Sequence, residues 1–439
     1  MQNSPTAMTS KRATVEQCLD RIHDPKGEGL RVFTRVYDDA ARLVADTADA
    51  MEELGIETPP LAGVPVSIKD LFDVKGEPTL AGSRVLADAV PAAQDADVVR
   101  RLRQSGAAII GKTNMTEFAF SGLGINPHYG TPLNVWNRAS ERIPGGSSSG
   151  AAISITDGMA LAAIGTDTGG SCRIPAAFNG IVGMKPSAQT VPMIGTLPLS
   201  SSFDSVGPLA ATVDMCALIY SVLAGVRPRP VPTVEPRRFT IGVVKNPYVL
   251  DGLDKTVSAA FDKALSRLTA AGATLRDVHL SVLDDLPPLF ENGGLVAAEA
   301  YQWHRDMLAA REAQYDPRVS VRLKRGSLSS AAEYVSLLAR RQNLIADWME
   351  EITPFDVLVM PTVPIIAPTL AELVDDERYG RINLLVLRNP TIINALDGCA
   401  ISIPCNSPGE APVGLMLACC NGQDRQLFTI AKAFETLFQ

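Results

Sequence analysis

Residues Phe239–Val278, FTIGVVKNPYVLDGLDKTVSAAFDKALSRLTAAGATLRDV, carry the pattern that decides the fold class. Phe239–Val244 is a short apolar run with β-branched residues and predicts a strand. Val257, Ala260, Phe261, Ala264, Leu265 and Leu268 then recur at helical spacing, and Gly272 stands where a left-handed cap would stop the helix. Thr274–Val278 returns to strand, completing a β-α-β unit. Upstream the alternation repeats: Asp95–Gln104 sets Val98, Val99 and Leu102 on one face, Gly106 supplies a stop, and Ala107–Ile110 is apolar and strand-like. Downstream, Ala297–Glu351 is strongly helical in pattern, while Val357–Met360, Ile401–Ile403 and Val413–Leu417 predict buried strands. Such alternation predicts an α/β fold with a largely parallel sheet. Arg227–Arg238 (RPRPVPTVEPRR) holds four prolines and is expected to be a surface loop within one domain rather than a domain linker.

Composition sets outer limits. The 439 residues are 46% hydrophobic and 20% charged, an ordinary globular balance that excludes a disordered chain. A net charge of −8 argues against a broad nucleic-acid-binding face, which needs accumulated Lys and Arg. No apolar stretch is long enough to span a bilayer, and the apolar run Met215–Val226 predicts a core helix instead. The N-terminal residues lack the apolar segment of a signal peptide. Seven cysteines form no CxxC pair, and four histidines (His23, His128, His279, His304) show no ligand spacing. The expectation is a cytoplasmic protein with no membrane association, metal or cofactor, its thiols reduced and packed.

Two motif matches mislead. Gly106–Thr113 (GAAIIGKT) fits the Walker A expression, but a phosphate cradle needs a flexible loop after a strand. Here Ala-Ala-Ile-Ile predicts a buried strand, and a helix precedes it. Gly146–Gly150 (GSSSG) fits the nucleophile-elbow expression GxSxG around Ser148. An elbow requires a strand immediately before it, and Ser140–Gly145 (SERIPG) is polar and broken by Pro144.

A third constellation is more specific because unusual segments occur together in order. Leu61–Asp70 (LAGVPVSIKD) predicts a strand over Val64–Ile68 ending in Lys69, a lysine that either snorkels to solvent or is buried with a lowered pKa. Pro144–Gly150 (PGGSSSG) and Gly165–Pro175 (GTDTGGSCRIP) bracket Ala151–Ile164, an apolar core segment, so both are pinned turns rather than linkers. Joined with Gly111–Asn114 (GKTN), Asn126–Asn134 (NPHYGTPLN), Phe178–Pro186 (FNGIVGMKP) and Phe203–Leu209 (FDSVGPL), these segments resemble the amidase signature family, over residues 61–209 at least.

That resemblance implies one large amidase domain over residues 1–439, with a central, mostly parallel mixed sheet flanked by helices. The helical segment 297–351 would contribute to the substrate pocket. It implies a Ser–Ser–Lys triad, with Ser171 as nucleophile, Ser147 as the bridging serine after a cis peptide bond, and Lys69 as base. The N–H groups of Thr168, Gly169, Gly170 and Ser171 would form the oxyanion hole, and Ala119, Phe120 and Ser121 would wall the scissile group. The chemistry accounts for these residue types. Serine attacks an amide only if a base takes its proton, and lysine is a base only when neutral, the form that burial favours. Backbone N–H groups turned toward the developing oxyanion are each worth about 3–4 kcal/mol in the transition state. Asp167 and Arg173 are expected to brace the loop around the nucleophile, and Cys172 to be a packed thiol rather than a second nucleophile. Met307, Trp303 and Met360–Leu370 are read first as core, with pocket-shaping as the alternative.

The activity implied is hydrolysis of a small-molecule carboxamide to a carboxylate plus ammonia or an amine, through an acyl-enzyme on Ser171. The chain is also similar to the glutaminase component of the tRNA-dependent glutamine amidotransferase, which supplies ammonia to a partner. An ester or carbamate hydrolase would use the same acyl transfer. A non-catalytic interaction protein on the same scaffold is the alternative from another class, and intact Lys69, Ser147 and Ser171 argue against it. No direct nucleic-acid contact is expected, and the family resemblance suggests a homodimer.

Overall fold

The computed structural model describes residues 10–438. Eleven strands form one sheet: β1 (Phe33–Val36), β2 (Pro65–Lys69), β3 (Ala108–Thr113), β4 (Ala162–Thr166), β5 (Val182–Lys185), β6 (Val206–Ala210), β7 (Thr240–Val244), β8 (Thr274–Val278), β9 (Val357–Pro361), β10 (Cys399–Pro404) and β11 (Gly414–Cys419). Their spatial order is β1-β3-β2-β4-β6-β5-β10-β11-β9-β7-β8. The α/β domain with its sheet flanked by helices is as the sequence predicts. The parallel share of the sheet is smaller than predicted. Parallel pairing is confined to β3-β2-β4 on one side and β9-β7-β8 on the other, and the other six pairings are antiparallel. The reason lies in the middle strands: β10 and β11 follow one another through a short loop, which permits only antiparallel neighbours.

The β-α-β unit read from Phe239–Val278 is present, with β7 and β8 parallel. Between them the helix Lys255–Ala270 is capped by the Asp254 side chain and buries Val257, Ala260, Phe261, Ala264 and Leu268. Each large apolar side chain so buried contributes about 1.5–3 kcal/mol. Gly272 takes φ +85°, the conformation its stop requires. The proline-rich 227–238 segment runs as a loop into β7, which pairs with β9 in the same sheet, so it divides nothing. The predicted helical region is three helices, Gly294–Arg311, Pro317–Arg325 and Ala331–Ile352. Among the described residues no helix is long and apolar enough to cross a membrane.

β3 disposes of the Walker match structurally. Gly111, Lys112 and Thr113 lie inside this buried strand, and Lys112 Nζ pairs with Asp70 Oδ1 at 2.9 Å. Gly111 is glycine because β1 presses on it: an added Cβ would lie 2.3 Å from the Arg35 carbonyl oxygen.

Candidate active site

Parallel neighbours β2 and β4 end at the same edge of the sheet, with Ile68 opposite Ile164, so their last residues, Lys69 and Thr166, emerge together. Ligand sites in open α/β sheets form at these carboxyl ends. Lys69 is fully buried. Its Nζ donates to Thr166 Oγ1 at 2.7 Å and to Ser147 Oγ at 2.7 Å. Burial without a carboxylate partner pushes its pKa down to about 7, against smaller opposing pulls from Cys172, Asp204 and Asp167.

Ser147 follows a cis peptide bond from Gly146 and is itself buried. Gly146 cannot be any larger residue, because a Cβ there would lie 2.6 Å from the Gly124 backbone nitrogen. Its N–H donates to the Gly122 carbonyl at 2.8 Å, and the Ser147 carbonyl accepts from Thr116 N–H at 3.1 Å. The helix Ser149–Thr156 begins directly afterwards. Ser148, centre of the elbow match, is buried, with its hydroxyl on the Thr166 carbonyl and its N–H on the Ser171 carbonyl, both at 3.3 Å. Ser148 thereby clamps the Ser147 loop against Ser171. No hydrogen bond joins the Ser147 and Ser171 hydroxyls themselves among the described residues.

The turn from Asp167 to Ser171 is held by Asp167. Its carboxylate accepts from Gly170 N–H (2.8 Å), Cys172 N–H (3.1 Å), Arg173 Nε (3.0 Å), Arg173 Nη2 (2.8 Å) and Asn394 Nδ2 (3.0 Å). Burial alone would push this carboxyl up, but the Arg173 charge and these donors overcome it and hold the group below the usual carboxylate range. Bracing is thus the geometry of both Asp167 and Arg173. Gly170 adopts φ +119°, and a Cβ there would lie 2.5 Å from Pro390 Cβ. Because Asp167 occupies the Gly170 N–H, three members of the expected oxyanion set are open: Thr168, Gly169 and Ser171 N–H have no acceptor among the described residues. The Thr168 hydroxyl is tied to Asp204, whose carboxyl burial pushes up to about 6. Cys172 is buried and its thiol is pushed far up by burial, then by Asp167, so it is inert.

Ala119 and Phe118 both take positive φ, which turns the 117–121 segment sharply. The Ser121 hydroxyl donates to Asn383 Oδ1 at 2.8 Å and accepts from the Tyr379 hydroxyl at 2.9 Å. Trp303 borders a 490 Å³ cavity between the 198–201 loop and the helices around Glu299 and Tyr334. Met307 packs against the core beside Phe118, and Met360 is core. His304 is buried and meets Phe118 edge to face, with burial lowering its pKa to about 3, and Nδ1 faces the Tyr315 hydroxyl. It therefore joins no serine.

Sequence reasoning missed Thr166, Asn394 and Asp204. Thr166 was within reach, being the strand-end residue immediately before Asp167. Asn394 meets Asp167 across 227 positions of sequence, and no local pattern marks it.

Comparison with known proteins gives concordant matches. The Amidase family model matches residues 13–428. The 2-amino-5-chloromuconic acid deaminase of Comamonas testosteroni is 37% identical over 432 residues, covering 97% of this chain and 92% of that protein. The A component of the glutamyl-tRNA(Gln) amidotransferase of Acidothermus cellulolyticus is 35% identical, covering 96% of this chain and 90% of that protein. A crystal structure of an amidase superposes with a TM-score of 0.86 at 32% identity, covering 98% of this chain and 97% of that one.

Proposed function

This chain belongs to the amidase family and is a hydrolase of C–N amide bonds, and from that premise we propose that it cleaves a small carboxamide through an acyl-enzyme on Ser171. Lys69, neutral, takes a proton from the Ser147 hydroxyl as Ser147 takes one from Ser171. Ser171 Oγ bonds to the carbonyl carbon, and the oxyanion is received by the Thr168, Gly169 and Ser171 N–H groups. The relay then reverses: Ser147 protonates the departing nitrogen, the C–N bond breaks, and ammonia or an amine leaves. Water repeats the sequence to release the carboxylate. The observation that carries this reading is the buried Lys69 Nζ, 2.7 Å from the Ser147 hydroxyl and without a carboxylate partner. Seven unpaired cysteines, six of them buried, support a reducing cytoplasmic setting.

Labelling with a fluorophosphonate probe, mapped by peptide mass spectrometry, tests it. The expected adduct is on Ser171 and is lost in Lys69→Ala. An adduct on Ser148 would overturn the assignment. A glutaminase role within a multi-protein amidotransferase is the second reading, favoured by the near full-length similarity to the A component of that enzyme. It requires that glutamine be hydrolysed well only when partner proteins are added.

A further inference from the structure

The three open N–H donors of the oxyanion turn differ in how their peptide planes are held. Because the peptide unit is planar, an N–H is aimed by whatever fixes the carbonyl on the other side of its bond. The Thr168 N–H shares a plane with the Asp167 carbonyl, which accepts from Ser205 N–H at 3.1 Å and Asn394 Nδ2 at 3.0 Å. The Ser171 N–H shares one with the Gly170 carbonyl, which accepts from Ile174 N–H at 2.7 Å. The intervening Gly169–Gly170 plane is held at both ends, its carbonyl by the Thr391 hydroxyl at 3.2 Å and its N–H by Asp167 at 2.8 Å. Only the plane that carries the Gly169 N–H lacks such a hold. Its carbonyl, that of Thr168, accepts no hydrogen bond among the described residues. This plane is also easy to turn over, since glycine takes either sign of φ without steric cost.

What steadies this plane is the side chain at its start. The Thr168 hydroxyl donates to Asp204 Oδ1 at 2.5 Å, a charge-assisted bond of the stronger kind. A β-branched residue has few rotamers, so a fixed Thr168 hydroxyl also fixes the backbone that bears it. Asp204 is itself held. Its Oδ2 accepts from Leu199 N–H at 2.9 Å and Ser200 N–H at 3.0 Å. The same loop is fastened on to Glu299, which accepts from the Ser200 and Ser202 hydroxyls and from Ser202 N–H. The two carboxylates thus divide the turn between them. Asp167 governs the peptide after Gly169 through the Gly170 N–H, and Asp204 governs the peptide before it through Thr168.

We infer that Asp204, acting through the Thr168 hydroxyl, is the positioning residue that keeps the Gly169 N–H turned toward the oxyanion. This inference rests on Ser171 being the acylated residue. The test measures fluorophosphonate labelling of Ser171 over a range of probe concentrations, giving a saturating rate and a half-saturating concentration. It compares wild type with Thr168→Val, Thr168→Ser, Asp204→Ala and the double variant Thr168→Val/Asp204→Ala. Removing one oxyanion donor outright slows a reaction by about 10²–10³, and a donor freed to turn away should account for at least about tenfold of that. Thr168→Val is therefore expected to lower the saturating rate tenfold or more. The half-saturating concentration should hold within about threefold, because the donor acts on charge that develops only as the bond to Ser171 forms. Thr168→Ser keeps the hydroxyl and is expected to label at least about fivefold faster than Thr168→Val. The double variant should be no slower than the slower single variant, since both changes cut one tether. Should Asp204→Ala fail to fold by circular dichroism, the two Thr168 variants decide, because they leave Asp204 and its loop contacts in place. A loss below tenfold in Thr168→Val, a loss carried by the half-saturating concentration, equal losses in Thr168→Val and Thr168→Ser, or losses that multiply in the double variant overturn the inference. Absence of any Ser171 label in wild type is a different failure, for it removes the acyl-enzyme reading on which the inference stands.

Discussion

The acid limb of the pH–rate profile is set by Lys69. Burial takes its ammonium from an ordinary 10.5 to about 7, and only the neutral amine can accept the proton relayed through Ser147. The sign follows directly: acid protonates the base and activity falls, whereas raising the pH restores it. With one group titrating, kcat/KM at pH 6 should be about a tenth of its plateau and at pH 5 about a hundredth. The Thr166 hydroxyl accepts from the ammonium at 2.7 Å, and a hydrogen bond to a charged group is worth about 1.5–3 kcal/mol. Thr166→Val keeps the shape and removes that acceptor, so the limb should move about 1–2 pH units toward acid. Ammonia release from an amide turned over by the wild type, followed from pH 4.5 to 9.5, measures both profiles. A flat rate between pH 5 and 7, a wild-type midpoint near 10, or a Thr166→Val limb displaced toward alkali would refute the reasoning.

Three further outcomes follow from the same geometry. Lys69→Met should abolish turnover yet raise the melting temperature at pH 6, because it removes a buried cation whose depressed pKa corresponds to a cost of about 5 kcal/mol. That advantage should shrink as pH rises from 7 toward 10.5, where wild type sheds the proton in the folded state first; a melting-temperature gap unchanged across this range would show that Lys69 does not titrate there. Asp167→Asn breaks a fully buried ion pair and leaves Arg173 unpaired, so urea unfolding should show a loss of about 3–5 kcal/mol, and a wild-type midpoint would contradict the bracing role. Gly170→Ala must place a Cβ at 2.5 Å from Pro390 while holding φ +119°. Its displacement of the neighbouring N–H donors should lower kcat by about 10²–10³, measurable by single-turnover acylation, and a rate within threefold of wild type would sink the proposed oxyanion geometry.

The sequence made the fold class legible wherever one local pattern sufficed. The 239–278 unit reads cleanly because its helix has one buried face and its strands are short and apolar. Strand direction in the middle of the sheet did not read, because β5, β6, β10 and β11 are brought together from residues 182 to 419 and direction is a property of pairing, not of a segment. The candidate site divides the same way. Lys69, Ser147 and Ser171 stand in dense motifs and are visible from the chain alone. That Asp167 occupies the Gly170 N–H depends on a turn geometry, and the role of Asn394 depends on a contact from a distant helix.

Why Lys69 should be a base, when burial alone does not make one, is answered by two other lysines. Lys69, Lys112 and Lys185 are all buried on strands of this sheet. Lys112 has a carboxylate counter-ion, Asp70, at 2.9 Å, and so forms a buried ion pair. Lys185 donates to the carbonyls of Pro186 (2.6 Å) and Gly398 (2.7 Å), and burial lowers its pKa to about 8. Carbonyls only accept, so a neutral Lys185 can do no more than donate to them and has no proton source beside it. Lys69 alone of the three is held by two hydroxyls, and a hydroxyl both accepts and donates. Whichever way the proton moves, Ser147 and Thr166 can rotate to match it, and no polar group is stranded. The two carboxylates that pull on Lys69 are both held by other groups: Asp204 by the Thr168 hydroxyl and the Leu199 and Ser200 N–H groups, and Asp167 by Arg173 and Asn394. The Asp167–Arg173 pair therefore does two things at once: it shapes the turn before Ser171, and it withholds a counter-ion from the base.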